Sequence, residues 1–265
     1  MVVIEETCRE GVDVEEHRVE ASPRVLSRIG GVLYLIIIVF GIFGEMFVRG
    51  KLIVWSDPTA TAEKILASES LWRFSVAAEL FYLLCAVALA AIFYVLLRPV
   101  SRDLALLAVF FNLVSIAIEA TGRLHLISAL TVLRDAERLT AFEPNQVHAL
   151  AYLSLQSHGR GFSISLLFFG CVCVVLGYLI FRSGYLPKLL GVLMQIAGFG
   201  YLMDGFALIL SPAFHAMIFP ASLLPAFVAE SSFCLWLLVK GVNVEKWKLR
   251  ASAQPTRSAA AIVQG

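Results

Sequence analysis

Charge is the scarcest feature of this 265-residue sequence. Asp, Glu, Lys and Arg together make up 15% of it, against about 25% in ordinary soluble domains. The signs nearly cancel, with Lys and Arg totalling 21, Asp and Glu 20, and a net charge of +1. No strong field is left to attract a polyanion, so a nucleic-acid binder is excluded. With 59% hydrophobic residues and a mean hydropathy of +0.83, a soluble enzyme and a disordered chain are excluded too. The cysteines are few and odd in number, five in all, and Cys85, Cys171, Cys173 and Cys234 lie inside apolar runs. That is no disulfide framework. Cys171 and Cys173 form a C-x-C, but two helical steps turn about 200°, so their sulfurs diverge and read as core packing rather than a metal pair. No H-E-x-x-H helix and no G-x-S-x-G turn occurs. Internal duplication is missing as well, which speaks against an inverted-repeat transporter.

What is present is a series of long apolar runs. A membrane-crossing helix needs about 20 apolar residues, and six runs qualify: Ile29 to Val48, Phe74 to Leu97, a third from Leu104, Gly161 to Phe181, about Leu189 to Leu210, and about Phe219 to Val239. The expected fold is therefore all-α, a polytopic membrane bundle of six transmembrane helices. The first run starts too late and lacks the small-residue cleavage site of a signal peptide. Residues 1–24 read as a disordered cytoplasmic tail and 243–265 as a cytoplasmic tail, disordered over 251–265, around a transmembrane domain over 25–242. Short loops rich in Arg98, Arg102, Arg182, Lys188 and Lys240 favour both termini in the cytoplasm. The location implied is the inner cell membrane.

Between the runs, Asp57-Pro58 reads as the cap and first turn of a short helix. Ile65, Leu66 and Trp72 are expected to rest that helix on the outer interface. The segment from about Arg134 to Arg160 reads as the longest loop and a lid.

Charged groups inside a bilayer cost about 2.5–3.5 kcal/mol each on the insertion scale, so each one calls for a reason. Glu45 lies in the first run, Glu79 and Tyr82 in the second, Glu119 and Arg123 on one face of the third, Tyr201 and Asp204 in the fifth, and Glu230 in the sixth. At about 1.5 Å rise per residue, Glu79 and Asp204 lie more than a turn below the outer boundary, with Glu45 and Glu119 nearer to it. His125, His158, His215 and Arg123 sit near that boundary. The expectation is a polar layer in the outer half, with Glu230 alone near mid-depth. The bland alternative is that end-of-helix acids snorkel to water and that Glu119 and Arg123 neutralise each other. Gly184, Gly191, Gly198 and Gly205 recur every seven residues and predict a tight helix–helix seam beside Asp204.

Three stretches carry a family resemblance: Leu96-Leu97-Arg98-Pro99-Val100, His158-Gly159-Arg160-Gly161-Phe162, and Gly177 to Pro187. Over roughly residues 25 to 240 the chain resembles domain-of-unknown-function family 4386, a family of six-helix bacterial membrane proteins. The resemblance implies a membrane location and six helices, and it carries over no activity and no catalytic residue.

Three functions remain open on the sequence. In the first, Glu45, Glu79, Glu119 and Asp204, with Tyr82, Tyr201 and Arg123, line a pocket for a small molecule or cation, the tyrosines adding cation–π contacts. Membrane lipids surround such a protein, and six helices favour a homodimer. In the second, His158 and His125 join the carboxylates to hold a divalent metal for hydrolysis of a lipid-like substrate. In the third, the protein is structural or regulatory, its carboxylates paired with arginines and leaving no cavity.

Overall fold

The computed structural model describes residues 22–219 and 221–253; the expected tails at 1–21 and 254–265 lie outside the described residues. The first span begins with α1 (Pro23–Ile42), passes through a π-helical turn (Phe43–Arg49) and ends in α2 (Gly50–Leu52). A short helix α3 (Pro58–Ala67) precedes α4 (Glu69–Leu97) and α5 (Arg102–Arg134). Then come α6 (Pro144–Ser183), α7 (Lys188–Leu210), the short α8 (Pro212–Ile218), α9 (Leu224–Val239) and α10 (Val244–Ser252). Six of these rods are long and apolar enough to cross a membrane, and no strand occurs among the described residues. The protein is an integral membrane helix bundle of the expected class.

Around the bundle α1 packs on α4, α4 on α5, α5 on α6, α6 on α7, α7 on α9, and α9 closes back on α1. This is a ring of sequential neighbours, as short antiparallel connections favour. The α6–α7 seam shows why two of its members approach so closely. A Cβ on Gly177 would lie 2.6 Å from the Gly191 carbonyl oxygen, and one on Gly198 would lie 2.7 Å from that of Gly170. On Gly205 it would lie 2.9 Å from the Ser163 carbonyl oxygen. The backbones meet where there are no side chains to hold them apart. Gly184 is a correction to the predicted seam: at φ 76° it ends α6 in the left-handed region and does not belong to α7.

The lid expected from Arg134 to Arg160 is also corrected. α6 starts at Pro144, where the Glu143 side chain and the Gln146 side chain cap each other's backbone N–H groups, a reciprocal cap that starts a helix. Only residues 135–143 connect α5 to α6. The Asp57 cap is as expected, its Oδ1 accepting from the Ala60 N–H at 2.9 Å. Ile65 and Trp72, however, are buried in the bundle rather than spread on an interface. The Trp72 indole N–H donates to the Leu126 carbonyl at 3.1 Å. The segment after 243 opens with helix α10, capped by Asn243 at the Lys246 N–H. Its Trp247 is buried and donates to the Leu96 carbonyl at 2.9 Å.

Two apolar cores result. One, toward α10, gathers Leu96, Val172, Leu179, Ile180, Met194, Phe233, Leu237 and Trp247. The other, toward α3, gathers Val48, Ile65, Trp72, Leu126, Leu130 and Leu155. Along α4, α5 and α6 the buried Ser75, Glu79, Ser115, Arg123, His158, Ser163 and Ser165 fall between them.

Candidate functional site

The polar layer is built from three helices. Glu79 of α4 is wholly buried and is flanked by two arginines. Arg49 Nη1, from the π-helical turn, reaches Glu79 Oε1, and Arg123 Nε, from α5, lies 2.8 Å from Oε2. Ser75 Oγ donates to Oε1 at 3.3 Å. Each arginine also holds a second acid one turn away on its own helix. Arg49 Nη2 lies 2.8 Å from Glu45 Oε2, and Arg123 Nη2 lies 3.0 Å from Glu119 Oε2. Tyr82 completes the circuit, its hydroxyl donating to Glu119 at 2.7 Å and accepting from Arg123 Nη2. The Arg123 guanidinium also lies 5.4 Å from the Tyr82 ring centroid. The charges alternate Glu45, Arg49, Glu79, Arg123, Glu119. Buried ions persist only when paired and hydrogen-bonded in this way.

The expected set is therefore split. Glu45, Glu79, Glu119, Tyr82 and Arg123 do come together, but as a closed ion-pair network between two apolar cores rather than as an open pocket. Arg49, the residue just past the first apolar run, is its missing member. The signal was present in the four-residue step from Glu45, which puts both on one helix face. The backbone makes room for the network: the Glu79 carboxylate occupies the place where a Cβ on Gly44 would be.

Asp204 and Tyr201 belong elsewhere. Asp204 is wholly buried on α7. Its Oδ1 accepts from Ser222 Oγ at 3.0 Å and lies 3.4 Å from His215 Nδ1 on α8. Its Oδ2 has no hydrogen-bond partner among the described residues. His215 stacks on Phe219, with ring centroids 5.5 Å apart, and its side chain is 16% exposed. Tyr201, one turn earlier on α7, donates its hydroxyl to Glu230 Oε1 rather than facing Asp204. Tyr34 donates to Glu230 Oε2 at 3.0 Å.

The histidines do not assemble a metal centre. His158 on α6 is buried, with Nδ1 3.1 Å from the Gly122 carbonyl oxygen. His125 is half-buried on α5. No group of three or more His, Cys, Asp or Glu side chains among the described residues is placed to hold a metal ion. The donor set thus does not fit the divalent metal expected from His158, His125 and the carboxylates. Catalytic zinc takes three protein ligands at about 2.0–2.3 Å.

Comparison with known proteins adds kinship. The chain is 31% identical, over 168 residues, to an uncharacterized protein of Archaeoglobus fulgidus; the match covers 63% of this chain and 84% of that protein. The kinship therefore reaches an archaeon as well as the bacterial proteins the resemblance suggested. No solved structure matches. The model of a domain of unknown function, DUF4386, matches residues 29–241, which span all six membrane-length helices apart from the start of the first, and the chain belongs to that family.

Proposed function

We propose that this membrane protein binds a small cation or protonated amine, with Asp204 as the carboxylate that receives it. The observation that carries the reading is the wholly buried Asp204 with one oxygen unpartnered among the described residues, beside the His215 ring of the short helix α8. Buried acids without a full set of partners are costly and point to a ligand or a switch. The charge balance supports a cation over an anion. Asp204 forms no ion pair with Lys or Arg among the described residues; its ion-pair neighbour there is His215. The Arg49–Glu79–Arg123 network serves as the rigid support of this site, since its buried charges are paired with one another.

The setting proposed is the inner cell membrane, with both termini cytoplasmic, the α10 end inside and the α3 and α8 end outside. Basic residues Lys240, Lys246, Lys248 and Arg250 at the α10 end favour that orientation. Lipid covers exposed apolar flanks such as Phe199, Phe206 and Leu210 of α7, and the assembly is a homodimer.

The test is thermal unfolding of purified protein in mild detergent against NaCl, KCl and an alkylammonium chloride at constant ionic strength. A cation at about 100 times its Kd stabilises by about 2.7 kcal/mol. One of the three raises Tm in wild type, and Asp204→Asn loses that response while keeping its fold. A response that survives in Asp204→Asn assigns the cation to another site and sinks the reading.

A second reading, a structural or regulatory protein without chemistry, draws on the closed Arg–Glu network. It is favoured if no cation shifts Tm.

A further inference from the structure

Glu79 and Asp204 are wholly buried in the bundle and Glu230 is half-buried, and their neighbours differ in kind. Glu79 has two arginines. Asp204 has His215. Glu230 on α9 has two neutral phenols: Tyr34 of α1 on Oε2 at 3.0 Å, and Tyr201 of α7 on Oε1. No Lys, Arg or His forms an ion pair with Glu230 among the described residues. Tyr201 lies one turn before Asp204 on α7, so Glu230 sits about one turn deeper in the bundle, near mid-depth of its helix.

The remaining groups around Glu230 add no positive charge. From α6 comes Cys173, near enough to act electrostatically on both phenols. From α5 comes Glu119, already ion-paired with Arg123 at 3.0 Å. The 3-10 turn before α9 offers Ser222, which is engaged with Asp204. The rest is aromatic. Tyr34 meets Phe93 and Phe233 edge-on, with centroids 6.0 and 6.3 Å apart, and Tyr201 lies 5.6 Å from Phe169.

We infer that Glu230, clamped between the hydroxyls of Tyr34 and Tyr201 with no cation beside it, is a membrane-embedded proton-binding site. A carboxylate removed from water without a counter-charge is relieved by taking up a proton. Both phenols donate to Glu230 in the structure, and the clamp accommodates the neutral acid as well: a phenol both donates and accepts, so on protonation one tyrosine keeps donating to the acid's carbonyl oxygen while the other turns to accept from its O–H. One proton is taken from water and the carboxyl group goes from one negative charge to none. The inference goes beyond cation binding at Asp204 and does not depend on it.

Infrared spectroscopy of the full-length protein in lipid nanodiscs reads the proton directly, because the C=O stretch of a neutral carboxylic acid is separate from carboxylate bands. Wild type at neutral pH is expected to show such a band, and Glu230→Gln to lose it. Tyr34→Phe and Tyr201→Phe each remove one hydrogen bond from the retained acid and shift the band to higher frequency. Asp204→Asn leaves it in place, which separates this result from the fate of the cation reading. If Glu230→Gln does not fold, the two phenylalanine variants decide. Coincident spectra for wild type and Glu230→Gln, or phenylalanine variants that move no band, overturn the assignment.

Discussion

Glu79 and Asp204 are both wholly buried acids, but removing their charge has different consequences. Glu79 neutralises Arg49 on one side and Arg123 on the other. Glu79→Ala leaves two buried guanidinium groups short of a partner, and breaking a buried pair costs about 3–5 kcal/mol. The expected result is loss of monodisperse protein or a large fall in Tm in detergent. Glu79→Gln weakens folding in the same direction, because the neutral amide no longer balances the two guanidinium groups. Glu45→Ala is milder, because the Glu45 side chain is 61% exposed and exposed pairs are worth about 0–1 kcal/mol. Tyr185, in the α6–α7 turn, donates to the Leu96 carbonyl at 2.6 Å, and burial raises its phenol above the ordinary value. The folded state therefore holds this proton more tightly than the unfolded one. Its contribution is complete below an unfolded pKa of about 10 and is lost as pH rises beyond it. Tyr185→Phe is expected to flatten the alkaline limb of a Tm–pH profile.

At the scale of the element, the decisive feature is how closely helices approach. Gly177 and Gly198 face backbone oxygens across the α6–α7 seam. Gly198→Val forces the helices apart or bends them, and overpacking of this kind costs about 1–3 kcal/mol. Gly41→Ala meets nothing within 4 Å and serves as the control, with Tm unchanged. Part of this was legible in advance. The seven-residue glycine period pointed to a seam, and Asp57-Pro58 pointed to the start of α3. Pro144 lies inside the stretch that reads as a loop, and proline ends helices from within. In the first turn it costs no hydrogen bond, and only the Glu143–Gln146 cap reveals which case applies.

At the scale of the whole molecule, six helices close a ring in which each packs on its neighbours in sequence, α9 returning to α1. The two ends differ: α3 and α8 cover one, and α10 the other. With the α10 end inside, a single cysteine placed at Ser252 reacts with a membrane-impermeant maleimide only in inverted vesicles or lysed cells. One placed at Ser211 reacts in intact cells. Labelling in the opposite sense reverses the orientation and with it the side from which Asp204 is reached.

Composition and run length alone determined that this chain lives in a membrane and crosses it six times. Hydrocarbon admits only helices whose backbone groups are satisfied internally, and that constraint is written in every apolar run. The residue types of the polar layer were legible for the same reason, since any charge in such a run stands out. Their partners were not. The step from Glu79 to Arg49 spans 30 positions, and that from Tyr34 to Glu230 spans 196. A periodicity along one helix says nothing about the rotation of the next. Tertiary packing alone decided that Glu79 is locked between two arginines, that Asp204 keeps a free oxygen, and that Glu230 faces two phenols. In a low-dielectric interior the partner, rather than the residue, sets what a charge can do.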